Sequence, residues 1–245
     1  MSVREAATSS AGTAVPGSSA SDGEDPHRVR KGVPSRFRWQ VWKEALHYEH
    51  HIPDNYATIR NRENDWTRQI TVDLGRTFPK LQSFSSEKRL MLGRVLNAFV
   101  GTYPNIGYYA GMNLVAAVLV LASDNEEESY GVLCDIFFKL GLQHFYAERK
   151  TMLHRFTRAA AHLAKAHLPD LCEHFIREDL HPAVFLPRWF MTLFVDCLPL
   201  STAMPIWDLI MHEGLQAALR VAVAILEHVE DVLLDMRFSQ MVHFF

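Results

Sequence analysis

Residues 70–79 read Ile70-Thr71-Val72-Asp73-Leu74-Gly75-Arg76-Thr77-Phe78-Pro79. Ile70, Asp73 and Arg76 recur every three residues, and side chains three apart share one side of an α-helix. Ile70 is then the residue turned to a core, with Asp73 and Arg76 together farther along. Pro79 cannot continue a helix and biases Phe78 towards an extended backbone. The helix therefore ends soon after Arg76. That arginine is expected near a helix end, steadied by a carboxylate one turn back and free to reach outward. Alone, an Asp–Arg pair at this spacing is an ordinary surface contact adding about a few tenths of a kcal/mol. The stretch takes its meaning from its neighbours.

Upstream, Lys31-Gly32-Val33-Pro34-Ser35 marks a turn, with Ser35 as the expected N-cap of a helix carrying Phe37, Arg38, Trp39, Val41, Trp42, Ala45 and Leu46. Arg38 and Trp42 lie one turn apart and can stack. A polar connection, residues 50–64, leads into the helix of Ile70 and Arg76. Residues 1–30 are rich in Ser, Ala, Gly, Thr and Asp, with little apolar content and no period. They are expected to be a disordered tail.

Downstream, Ser85 with Glu87 starts a helix with a broad apolar face, Leu90, Leu92, Val95, Leu96, Phe99 and Val100. It ends at Tyr103-Pro104-Asn105-Ile106-Gly107. The next helix is expected over 108–122, its first turn formed by Tyr108-Tyr109-Ala110-Gly111-Met112-Asn113 and the rest apolar nearly all round. Asp124 with Glu127 resembles a capping box for a helix through Phe138 that Gly141 closes. An alanine-rich basic helix over 147–167 presents Met152, Leu153, Phe156, Ala160 and Leu163 inward. Pro169 starts a short helix. An aromatic helix around Trp189 runs until Pro199, Pro205 starts the next, Gly214 stops it, and a strongly apolar helix covers 215–234. No stretch alternates with period two, so the fold class is all-α: one multi-helix domain over 31–245.

The chain has 245 residues, 48% hydrophobic and 22% charged, with a net charge of -3. No basic excess suggests nucleic acid. Cys134, Cys172 and Cys197 lie far apart with no CxxC pair, which argues against a zinc site or disulfide framework and fits a reducing compartment. No metal-ligand spacing appears, and His47, His50 and His51 are taken as solvated. Apolar runs such as 114–122 are far shorter than a bilayer span, and the N-terminus lacks a secretory signal. The expected location is cytoplasmic. No Ser-His-Asp spacing or Gly-rich phosphate loop stands out.

Three elements now stand in order: Arg38-x-x-x-Trp42, Ile70-x-x-Asp73-x-x-Arg76 and Tyr108-x-Ala110-Gly111-Met112-Asn113. Together they resemble the TBC domain, the all-helical domain of Rab GTPase-activating proteins, whose fingerprint is RxxxW, IxxDxxR, and YxQ followed by Gly-Met-Asn. Gly32-Val33-Pro34, Phe185-x-x-x-Trp189 and Ala224-Ile225-Leu226 look similar too. The resemblance implies a GTP-bound Rab-family GTPase as partner, with GTP and Mg²⁺ belonging to that partner and no cofactor of the chain's own. It also implies vesicle trafficking, with peripheral attachment to endomembranes through the partner.

Arg76 matches the family's arginine finger, which neutralises charge on the transferring phosphoryl group. Ile70 and Asp73 would hold its helix, Arg38 and Trp42 would support the active face, and Tyr108 would order the loop beside the second finger. That finger is a glutamine in the family and orients the attacking water. Here the position is Ala110, and a methyl group neither donates to water nor accepts from it. Losing one preorganised contact of this kind typically costs about 2.7–4 kcal/mol, or roughly 10²–10³ in rate. The sequence thus supports a GTPase activator of reduced efficiency and, as the alternative, a catalytically inactive Rab-binding or scaffold module.

Overall fold

The structure is a computed structural model that describes residues 32–50, 52–146 and 151–245. The expected tail, residues 1–30, lies outside them. The described residues are helical with no strand, so the all-α expectation holds. The chain divides into two compact units, one of residues 34–150 and the other formed mainly by residues 151–245.

The first unit opens with α1, Ser35–Ala45. Ser35 is its first helical residue rather than its cap, because the extended backbone of Pro34 takes the N-cap place. Trp42 is completely buried, with Trp39 edge-on at 6.3 Å. The expected polar connection holds one helical turn, α2, Tyr56–Ile59. Next come α3, Thr67–Arg76, and α4, Ser86–Thr102. As expected, Ser85 caps α4, its hydroxyl accepting from the Lys88 amide at 3.3 Å.

Leu92, Val95, Leu96, Phe99 and Val100 of α4 are buried and make it the unit's central helix, packed by α2, α3, α5 and α6, whereas Leu90, expected on the same face, is 63% exposed. Here α5 is Met112–Ser123 and α6 is Glu126–Phe138. The cap of α6 differs from the expected Asp124. Asp124 ends α5 in a left-handed conformation, φ 53°, so it cannot supply the extended backbone of an N-cap. Asn125 does, accepting from the Glu128 amide at 3.0 Å. Beyond Gly141, which has φ 82°, a single turn forms α7, Gln143–Tyr146.

Glu126, at the start of α6, joins three elements. Its carboxylate takes Arg60 at 2.9 Å, Arg94 at 2.7 Å and the Tyr56 hydroxyl at 3.2 Å, with only 11% of the side chain exposed. A carboxylate this buried is stable only when paired on several sides.

The second unit is built on α8, Thr151–His167, which packs against α9, Pro169–Arg177, and α12, Ala217–His228. Leu153, Thr157, Ala160 and Ala164 form the buried stripe of α8, and Met152, Phe156 and Leu163 flank it half-buried. Residues 147–150, where that helix was expected to start, lie outside the described residues.

Prolines mislead in this unit. The aromatic helix, α10, Leu186–Met191, stops well before Pro199. Leu193 (φ 46°) and Phe194 (φ 67°) turn left-handed and reverse the chain. The Trp207 indole then secures the reversal by donating to the Leu193 carbonyl at 3.0 Å. Pro205 lies inside α11, Leu200–Glu213, rather than starting it. The interruption is tolerated because Ser201, whose carbonyl loses its donor, is exposed as is Pro205. The apolar segment 215–234 is two helices, since Val229 (φ -111°) separates α12 from α13, Glu230–Leu234. Another helix, α14, Phe238–Phe244, follows.

Candidate functional site

The site lies in the first unit, where the C-terminal end of α3 meets the turn before α5. A loop network positions α3. The Asn64 side chain accepts from the Trp66 amide at 3.0 Å, and Thr67 donates to Asn97 of α4 at 3.0 Å. Ile70, 1% exposed, anchors the inner face of the helix. Residues Arg68, Val72 and Arg76, four apart, form an outer face and are all exposed. Arg76 is the last helical residue, and no salt bridge engages its guanidinium among the described residues.

Asp73 does not steady Arg76 as the spacing suggested. Its carboxylate accepts instead from the Tyr108 hydroxyl at 2.8 Å, across 35 positions of sequence. Burial, chiefly, and the bond to Asp73 push the Tyr108 phenol pKa up, so it stays a donor.

The stretch expected as the first turn of a helix is a turn ahead of one. Gly111 sits at φ 102°, which a residue with a Cβ strongly avoids, and α5 begins only at Met112. Asn113 closes the turn. Its side-chain oxygen accepts from the Gly111 amide at 3.0 Å, and its amide donates to Thr77 Oγ1 at 2.8 Å. Thr77 in turn donates to the Asp73 carbonyl at 2.7 Å. Met112 is buried, and its sulfur lies 3.4 Å from the Tyr109 amide. The turn also rests on α3 at Gly107, where an added Cβ would meet Trp66 at 3.1 Å. Ala110, held in this turn, is exposed.

So Ile70, Asp73, Arg76, Tyr108, Ala110, Gly111, Met112 and Asn113 belong to one constellation. Two short tethers, Asp73–Tyr108 and Thr77–Asn113, clamp the two exposed positions, Arg76 and Ala110. Trp42 is a core residue of α1 and Arg38 is half-buried beside it.

Three participants carry no local sequence signal. Thr77 is fully buried although it lies past the helix end. Trp66 lies under Gly107. Arg89 of α4 donates to the carbonyls of Leu74 (2.8 Å), Thr77 (2.6 Å) and Phe78 (3.3 Å). Phe78 also departs from expectation, with φ 44° rather than an extended backbone. Its ring packs edge-on against Phe84 at 5.7 Å, and its carbonyl is held by Arg89. These contacts outweigh a conformational cost of about 1–3 kcal/mol.

The sequence profile of RabGAP-TBC, the Rab-GTPase-TBC domain, matches residues 35–234. The chain belongs to this family. Family members with curated names include growth hormone-regulated TBC protein 6 of Caenorhabditis elegans, 29% identical over 80% of this chain and 58% of that protein. The GTPase-activating protein GYP5 of Saccharomyces cerevisiae is 28% identical over 88% of this chain and 24% of its own length. Human TBC1 domain family member 2A is 30% identical over 85% and 24%. The chain thus spans only part of each relative. Among solved structures, the Chlamydomonas flagellar RabGAP TBC domain superposes with a TM-score of 0.79 at 28% identity, covering 89% of this chain and 75% of that one. The Ypt/Rab-GAP domain of Gyp1p shares the fold, with a TM-score of 0.74 at 19% identity. No cluster of His, Cys, Asp and Glu able to hold a metal occurs among the described residues, and none of their helices is long and apolar enough to cross a membrane.

Proposed function

We propose that this domain accelerates GTP hydrolysis on a GTP-bound Rab-family GTPase by inserting Arg76 into the partner's nucleotide site. The observation that carries this reading is the exposed Arg76 at the end of α3, with Asp73 behind it engaged by Tyr108 instead of by the arginine. A guanidinium with no salt-bridge partner among the described residues keeps its five donors for charge developing on the γ-phosphoryl oxygens. The names of the yeast and Chlamydomonas relatives support the same reading. GTP and Mg²⁺ are the partner's. Attachment to trafficking membranes follows from where the partner sits.

Ala110 supplies no amide to orient the attacking water. The partner's own glutamine performs that task, and Arg76 supplies the acceleration. The test is single-turnover hydrolysis by a panel of Rab proteins with the wild-type chain and Arg76→Ala. Acceleration of at least one Rab by wild type, lost in the variant, is expected. No accelerated Rab, or full activity of the variant, overturns the reading.

Ala110 also favours a second reading, a Rab-binding module that does not drive turnover. It expects nucleotide-dependent binding with unchanged hydrolysis. A pull-down with no partner that prefers the GTP state removes it.

A further inference from the structure

We infer that Arg89 is the positioning residue of the arginine finger: it fixes the direction in which α3 presents Arg76. The inference rests on the proposed role of Arg76. A helix leaves its last carbonyls without intrahelical donors, and these need partners from elsewhere. At the end of α3 the Thr77 amide and hydroxyl supply part of this, and one guanidinium of another helix supplies the rest. Arg89 reaches the carbonyl of Leu74, two residues before Arg76, and those of Thr77 and Phe78, which follow it. The backbone on both sides of the finger is therefore tied to a single side chain of α4.

Arg89 is itself well held. It lies in the first turns of α4, behind the Ser85 cap, and its guanidinium stacks over the Phe84 ring at 5.0 Å. Phe84 is buried and also receives the Phe78 ring. Arg89 and the Phe78–Phe84 pair together keep Phe78 at φ 44° immediately ahead of Pro79. Its positive charge also suits the negative end of the helix dipole. The planar fork is what this job needs, because three carbonyls in different directions accept from two nitrogens of one rigid group. A lysine ammonium keeps the charge but is a single point and cannot span them.

The other tethers of the site act elsewhere. Asp73–Tyr108 and Thr77–Asn113 join α3 to the turn of Ala110 through side chains. The segment's own groups also reach the carbonyls around Arg76, the Thr77 amide at Leu74 (3.3 Å), the Thr77 hydroxyl at Asp73 (2.7 Å) and the Leu81 amide at Phe78 (3.1 Å), but the bonds of Arg89 tie the carbonyls on both sides of Arg76 to another helix. Releasing them lets the last turn relax while leaving the outer face of α3, and with it partner docking, in place.

The experiment compares wild type, Arg89→Lys and Arg89→Ala as the full chain. Single-turnover GTP hydrolysis is measured at saturating domain on a Rab that wild type accelerates, together with affinity for the GTP-loaded Rab and amide hydrogen exchange. The expected result is a saturating rate about 10- to 100-fold lower in both variants, since misplacing a catalytic group by about 1 Å has that scale of effect. Affinity stays at the wild-type level, and exchange quickens at residues 77–81. Arg89→Lys retains the positive charge and gives the smaller loss. A wild-type saturating rate in Arg89→Ala, or a loss confined to affinity, overturns the inference. If the wild-type chain accelerates no Rab, the proposed function has failed by itself. Exchange in the folded Arg89→Lys protein then decides this point: faster exchange at 77–81 with the rest of α4 unchanged supports it, and unchanged exchange overturns it.

Discussion

Under the proposed function, position 110 limits the rate. Its neighbours on either side are fixed, Tyr108 by Asp73 and Gly111 by the Asn113 side chain, so a longer side chain placed there inherits a preorganised backbone. Ala110→Gln is therefore expected to raise single-turnover hydrolysis by roughly 10²–10³ on a responsive Rab. A rate equal to wild type would mean that the turn does not aim position 110 at the water. Tyr108→Phe removes the donor to Asp73 and leaves a half-buried carboxylate short of a partner, which costs about 1–3 kcal/mol. The urea midpoint should fall accordingly, and the acceleration with it. An unchanged midpoint would show that the bond contributes nothing in solution. Arg76 is a plausible neighbour for Asp73 three residues away, yet the partner of Asp73 lies 35 residues away. Spacing on a helix identifies which side chains share a face, but not which competing donor the tertiary fold brings closer. Ile70, by contrast, was legible, because an apolar residue on a polar helix has one place to go.

At the scale of elements, what a glycine or proline implies depends on what packs against it. Pro79 marks the end of α3, while Pro205 is absorbed into α11, where it and Ser201, whose carbonyl loses a donor, are both exposed. Ser85 capped α4 as read, whereas Asp124 lost the cap of α6 to Asn125 once α5 ended left-handed on it. The turn carrying Tyr108 and Ala110 has residue types that also permit a helix, yet the helix begins only at Met112. Only Gly111 at φ 102° and the Asn113 side chain show that it is a turn. Gly107 is a decisive position in that turn. It adopts φ 71°, and a methyl there would lie 3.1 Å from Trp66. Gly107→Ala should cost about 1–2 kcal/mol for the left-handed backbone alone, with the crowding of Trp66 added. The loss is expected in thermal unfolding, along with a shift in Trp66 fluorescence. A variant as stable as wild type would mean the turn can leave α3 freely.

For the whole molecule, the apolar content and absence of strand patterning made the helical class legible, and three short motifs in order pointed to the family. The ionic ties that join distant helices were not legible. Glu126 and Glu128 read as generic acids of a helix start, yet each is a meeting point of other elements. Glu128 accepts from the Trp39 indole and pairs with Lys43 at 3.0 Å, tying α6 to α1. Burial works against its charge, but the hydrogen bonds from Trp39 and Lys43 prevail, so its pKa lies below the ordinary glutamate value of 4.5. A carboxyl whose native pKa is lowered contributes stability that is fully present above the unfolded value. That contribution disappears as pH falls through the lowered native value. Glu128→Gln removes the titration while keeping the shape. The gap in urea midpoint between wild type and Glu128→Gln is therefore expected to be constant from about pH 7 down towards the ordinary glutamate range, and to close below it. A gap that persists undiminished at lower pH, or widens there, would show that the charge on Glu128 is not what holds α1 to α6.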